Sequence, residues 1–136
     1  EQLYDEKLCS EEGKEVLLSY QKQLQSFIES DYYQMIQNAS YIYKEKSFSY
    51  YDKEFDQVIH GIFDLVFVYQ NQLYVLDYKT DRISQKNSEQ ALIEKHKVQL
   101  NYYQKVLKDM YKQDVKAIVY YLHISKGVEF SLYNNE

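Results

Sequence analysis

The sequence predicts a mixed β-sheet flanked by helices, and three observations carry that expectation. Two apolar segments, 61–69 and 73–79, are separated only by a short polar turn. Amphipathic helical spacing comes before them, and a long helical pattern comes after them. An almost purely β-forming stretch follows that second helix. Helices, meandering strands, a long crossover helix and further strands make an α/β or α+β core.

Taken in order, residues 1–13 are acidic and weakly patterned as far as Gly13, and are expected to be frayed or partner-dependent. From Lys14 to about Ala39, apolar residues recur at helical spacing. Val16, Leu17, Tyr20, Leu24, Phe27 and Ile28 fit one face of one helix. A break at Ser30-Asp31 offers a cap for a second, short helix through Met35 and Ile36. Tyr41 to Tyr51 alternates as a strand with Glu45 inside it, and Asp52-Lys53-Glu54 is a charged turn. The segments 61–69 and 73–79 are rich in β-branched and aromatic residues around Gln70-Asn71-Gln72, so they read as adjacent antiparallel strands. A polar loop over 83–87 leads to a capping signal, Asn87 or Ser88 ahead of Glu89-Gln90, and a helix running to about Tyr111. Asp114 to Leu122 is a buried strand, Ser125-Lys126-Gly127 a turn, and Val128 to Tyr133 a last strand.

The 136 residues, 45% of them hydrophobic, suffice for one domain spanning 1–136 with its own core. A net charge of −5 argues against a free-standing nucleic-acid binder, which carries a basic face. Carboxylates that ligate a metal are neutralised in the working site, which softens the objection. The chain opens on Glu1 and has neither a signal-peptide pattern nor a long apolar run. It is read as a piece of a longer cytoplasmic polypeptide without membrane contact. The single cysteine, Cys9, excludes a disulfide framework, a Cys-ligated zinc site and a four-cysteine iron–sulfur cluster. Glycines are scattered singly, so no phosphate-binding Gly-rich loop exists.

The chemistry concentrates on the hairpin. With the turn centred on Gln70-Asn71, paired residues sum to 141, which sets Asp64 opposite Asp77. The two-residue period of a strand puts Lys79 beside them. Like charges directly opposite destabilise a sheet, and burying unpaired carboxylates costs several kcal/mol, order of magnitude. A divalent cation held by both aspartates compensates, and two carboxylates are a usual protein contribution to Mg²⁺. The plain alternative is an Asp–Lys salt bridge plus one solvated aspartate. On the following helix, Gln99 and Tyr103 share a face, with His96 one turn earlier. That pair could bind a phosphate or stack on a base, or could be polar tips at the rim of a core-facing helix. Glu45 lies between Lys44 and Lys46, where an exposed ion pair is the default. His60 and His123 have no partners at ligand spacing.

Gly61-x-x-Asp64, Asp77-Tyr78-Lys79-Thr80-Asp81 and Gln99-x-x-x-Tyr103 together resemble nucleases of the PD-(D/E)xK superfamily, RecB branch. More narrowly, the run from Gly61 to Ile83 and the later "HKVQLNYYQKVL" resemble the C-terminal nuclease domains of the AddA/RexA helicase–nuclease family. The resemblance extends from about Lys44 to Tyr121 and implies an α/β, restriction-endonuclease-like core. It implies that Asp64 and Asp77 ligate metal with the Tyr78 carbonyl assisting, that Lys79 is the catalytic lysine, and that Gln99 and Tyr103 line the DNA site. Glu45 matches a glutamate that commonly precedes the hairpin in this branch. Two departures stand out. The histidine that family members carry on a helix before the sheet has no counterpart ahead of His60, and His96 stands where an aromatic often lies.

The expected function is a Mg²⁺-dependent DNA exonuclease domain, with Mn²⁺ able to substitute, in an ATP-driven helicase–nuclease that processes double-strand breaks for recombinational repair. ATP use belongs to upstream helicase domains, and the expected partners are DNA and a second subunit of the AddB/RexB type. The alternative from another class is a catalytically inactive module for DNA binding or subunit docking.

Overall fold

The computed structural model describes residues 11–82 and 88–130. The expected loop over 83–87 with its cap candidate Asn87, the terminus 1–10 and the last-strand residues 131–133 lie outside the described residues. Helix α1 spans Glu11–Ile28, so Glu11 to Gly13 are helical where fraying was expected. Ser30 caps α2 (Asp31–Gln37), its hydroxyl accepting from the Tyr33 amide at 3.3 Å, and Asp31 sits in the first turn, where a negative charge suits the helix dipole.

Five strands follow: β1 (Tyr41–Asp52), β2 (Gln57–Tyr69), β3 (Gln72–Lys79), β4 (Val115–Tyr121) and β5 (Lys126–Phe130). They lie side by side in chain order. All neighbours are antiparallel except β3 and β4, which are parallel. That parallel step needs a crossover, supplied by α3 (Glu89–Tyr111). Ser88 caps α3, its hydroxyl accepting from the Ala91 amide at 3.2 Å, and Lys112 ends it at φ 57°. Between β2 and β3, Gln70 and Asn71 take φ 50° and 65°, as a two-residue type I′ connection requires. Pairs such as Val68–Leu73 and Leu65–Leu76 keep the expected sum of 141.

The sheet buries both faces. Leu92, Leu100, Val106 and Leu107 of α3 pack on Phe63, Val66, Leu73, Val75, Ala117 and Val119. On the other face Phe27 of α1 and Ile36 of α2 meet Leu65, Phe67, Leu76, Ile118 and Tyr120. Strand β4 serves both cores, which explains its unbroken apolar run.

The α1 stripe is helical as expected and largely exposed. Of the six residues assigned to one helix face, only Phe27 is buried; Val16, Leu17, Tyr20, Leu24 and Ile28 are about half exposed. The helix meets α2 and the residues 122–124 that follow β4, where Gln23 Nε2 lies 3.1 Å from His123 Nδ1.

Candidate active site

The site begins at an irregularity in β1 and β2. These strands keep one register along their length, but the rung between Lys44–Leu65 and Lys46–Phe63 is missing, and its two members are Glu45 and Asp64. On one side of that rung Leu65 faces the α1/α2 core; on the other, Phe63 faces the α3 core. Residues two apart in a regular strand share a face, so both strands exchange faces here. Glu45 makes the exchange in β1 with φ 49°. Lys46 reaches back over the Tyr43 ring, 5.1 Å from its centroid, which regular alternation forbids. Because each strand slips once, the register survives.

The same irregularity frees Asp64 from ordinary sheet packing. The β2–β3 ladder stops at Leu65–Leu76, one rung short of the expected Asp64–Asp77 pair. Asp64 Oδ2 instead accepts the Tyr78 amide at 3.0 Å. Asp77 is buried, and Lys79 Nζ lies 2.9 Å from its Oδ2. That oxygen accepts no hydrogen bond of ordinary geometry, so the contact is an ion pair rather than an aligned hydrogen bond. Lys79 Nζ also donates to Gln99 Oε1 at 2.9 Å, and Gln99 Nε2 donates to the Tyr103 hydroxyl at 3.1 Å. The structure therefore joins Asp64, Asp77, Lys79, Gln99 and Tyr103. Glu45 is exposed beside them, on a cleft shared with Asp64. Among the described residues, no group of three or more His, Cys, Asp or Glu side chains converges as a metal cage.

Electrostatics follow from this packing. Burial pushes the Asp77 carboxyl up to about 6; Lys79 opposes the shift and the Asp64 charge adds to it. Burial raises the Tyr78 phenol to about 12, with the charge of Asp64 adding. The buried, hydrogen-bond-poor Asp77 Oδ2 beside a second carboxylate is a hard oxygen donor set with open lone pairs. It fits a divalent cation that keeps most of its waters.

The structural roles of several residues near the site were not anticipated. Gly61 pairs with Phe48, and a Cβ on Gly61 would meet the Phe48 ring at 2.6 Å. The missing side chain lets Phe48 stack on Phe63, centroids 4.4 Å apart, while Tyr103 meets Phe63 edge-on at 5.0 Å. Buried His96 has Nδ1 3.0 Å from the Tyr121 hydroxyl and Nε2 3.7 Å from Asp81 Oδ1, which ties the end of β3 to α3 and β4. Asp52, expected in a turn, ends β1 buried, accepting from the Tyr102 hydroxyl at 2.9 Å and facing Lys105 at 3.4 Å. Its period-two spacing from Phe48 and Tyr50 was the available signal. Fully buried Gln104 donates to the carbonyls of Val115 and Phe130, at 2.9 and 3.2 Å. His60 and His123 make side-chain contacts to Ser49 and Gln23 away from this cluster. No described helix is long and apolar enough to cross a membrane.

Comparison with known proteins finds relatives of this chain. Two relatives both carry the name of the A-type subunit of an ATP-dependent helicase/nuclease. The one from Staphylococcus saprophyticus is 35% identical over 111 residues, covering 71% of this chain. The one from Staphylococcus aureus is 30% identical over 114 residues, covering 73%. The chain spans about 9% of the length of each. A solved structure, protein VC1899 from Vibrio cholerae, aligns over 84% of this chain and 27% of its own, with a TM-score of 0.41 and 11% identity. The family profile of the PD-(D/E)XK nuclease superfamily matches residues 1–133. With that match and with relatives at 30% and 35% identity, the chain belongs to the PD-(D/E)XK nuclease superfamily.

Proposed function

We propose that this chain is the nuclease domain of a larger ATP-driven helicase–nuclease, cutting DNA as an exonuclease with Mg²⁺ during double-strand-break repair in the cytoplasm. The observation that carries the reading is buried Asp77, with Asp64 beside it and Lys79 Nζ 2.9 Å away. A fold has no stability reason to keep two adjacent carboxylates there. Asp64, Asp77 and the Tyr78 carbonyl would hold the cation. When bound, it supplies Lewis-acid activation of water and neutralises charge on a phosphoryl oxygen.

The chain's own residues do the rest. Lys79, fixed between Asp77 and Gln99, orients the attacking water and balances charge building on the phosphate. The water oxygen bonds to phosphorus as the bond to the 3′ oxygen breaks. One water proton leaves to solvent, and the departing oxygen takes a proton from water. Gln99 and Tyr103 border the DNA. ATP hydrolysis and the second subunit, of the AddB/RexB type, belong to the rest of the assembly.

The test is a calorimetric Mn²⁺ titration of the wild-type chain and of Asp77→Asn. Saturable binding lost in the variant supports the paired-aspartate site. Equal binding by both, or none by either, rejects it in this chain and favours a non-catalytic module.

A further inference from the structure

A cleft of about 560 Å³ lies between α2 and the β1 edge, on the side of the sheet away from Lys79 and Gln99. Phe27, Ile36 and Leu65, all buried, form its floor. Half-buried Tyr33 and Tyr78 flank Phe27, each meeting it edge-on, with centroids 5.7 and 5.3 Å away. Ile42, Gln37 and Lys44 stand at the mouth, and one end of the cleft reaches Asp64 and Glu45.

We infer that this cleft receives the nucleobase adjoining the phosphate that is cut, an inference that rests on the nuclease reading above. Aromatic and aliphatic walls accept any base by its π-face, without reading sequence. The Gln37 amide carries both a donor and an acceptor for a base edge. Asp64 at the end of the cleft ties its occupant to the candidate metal position. The charges add a condition. A single amine, Lys44, faces two carboxylates, Asp64 and Glu45, so a nucleotide phosphate is repelled until a divalent cation sits between them. An apolar protein segment filling the same slot needs no cation, and that difference separates the two occupants.

The test uses the whole 136-residue chain carrying Lys79→Ala, which keeps both aspartates while suppressing cleavage. The probe is a short single-stranded oligodeoxynucleotide with 2-aminopurine at one position, compared with an oligonucleotide abasic there. The expected result is Mg²⁺-dependent fluorescence quenching. Binding of the abasic probe falls by roughly 5- to 100-fold, the usual worth of one stacked base. Adding Ile42→Glu at the mouth brings the same loss, and Ile42→Val restores binding. Mg²⁺-dependent binding that ignores the abasic site and Ile42→Glu overturns the base cleft and leaves the nuclease reading standing. Quenching without Mg²⁺ also overturns it. If calorimetry shows no Mg²⁺ binding and the probe does not bind, the nuclease reading falls and the cleft with it.

Discussion

Lys79 of β3 donates to Gln99 of α3 at 2.9 Å, so the crossover helix sets where the lysine ammonium points. Tyr103 holds the far side of the same amide, and Phe48 and Phe63 hold Tyr103. A residue outside the hairpin thus orients one inside it. Gln99→Ala releases Lys79 to swing toward solvent while sparing both aspartates. The expected outcome in the full-length enzyme is a kcat for DNA cleavage lower by about 10- to 100-fold with little change in KM. A rise in KM alone would mean that Gln99 only binds substrate.

Asp77 couples the site to pH. Its folded carboxyl titrates near 6 against 3.8 when free. A proton and a divalent cation compete for it, so Mn²⁺ affinity is expected to fall steadily as pH drops below about 6. Stability of the metal-free chain moves the other way. The folded state binds the proton more tightly, so this group favours folding at low pH, and that contribution is lost as pH rises from 3.8 through 6. Asp77→Asn mimics the neutral form and should raise metal-free stability at pH 7, by an amount on the order of 1 kcal/mol. Chemical denaturation of both chains at pH 5 and 7 measures it.

His96 carries the opposite sign. Burial holds its imidazole below the ordinary 6.5, and Lys79 and Lys95 add to the effect while Asp81 opposes it. A base depressed by folding contributes stability above pH 6.5 that is lost as pH falls toward its folded value. His96→Phe should flatten this acid limb in thermal melts between pH 5 and 8. An unchanged slope would show that His96 titrates alike in the folded and unfolded states across that range.

Gln104 predicts a stability effect without a site effect. It ties the carbonyl of Val115, the first residue of β4, to that of Phe130, the last of β5, from inside the core. Gln104→Leu keeps the bulk and orphans two buried acceptors, which should cost about 2–3 kcal/mol in denaturant unfolding. Mn²⁺ binding should be unchanged once the chain is folded.

How much of this was legible in the sequence depends on the range of the interaction. The hairpin register was legible because a polar two-residue turn fixes which residues face one another. The grouping of Asp64, Asp77 and Lys79 followed from it. Gln99 and Tyr103 were legible as one helix face, but their attachment to Lys79 needed the crossover helix to be placed. Lys44-Glu45-Lys46 looked like alternating surface charge, and no periodicity warns that a strand will change faces at its middle residue. The α1 stripe was legible as helical, but spacing shows that a face is apolar and not what lies against it. Asp52 and Gln104 escaped because polar residues are read as exposed by default, and only tertiary partners reverse that.

The paired slip at Glu45 and Asp64 also constrains how this fold can change over time. Losing one residue from either strand alone would undo one exchange and keep the other, turning every side chain beyond that point inside out. Length changes here are tolerated only as matched events in both strands. Aligned descendants should therefore show gaps in β1 accompanied by gaps in β2, and a designer shortening the hairpin must cut both arms together. The acidic rung acts as a hinge pin for heredity as well as for geometry: the strands can drift in composition, but not independently in length.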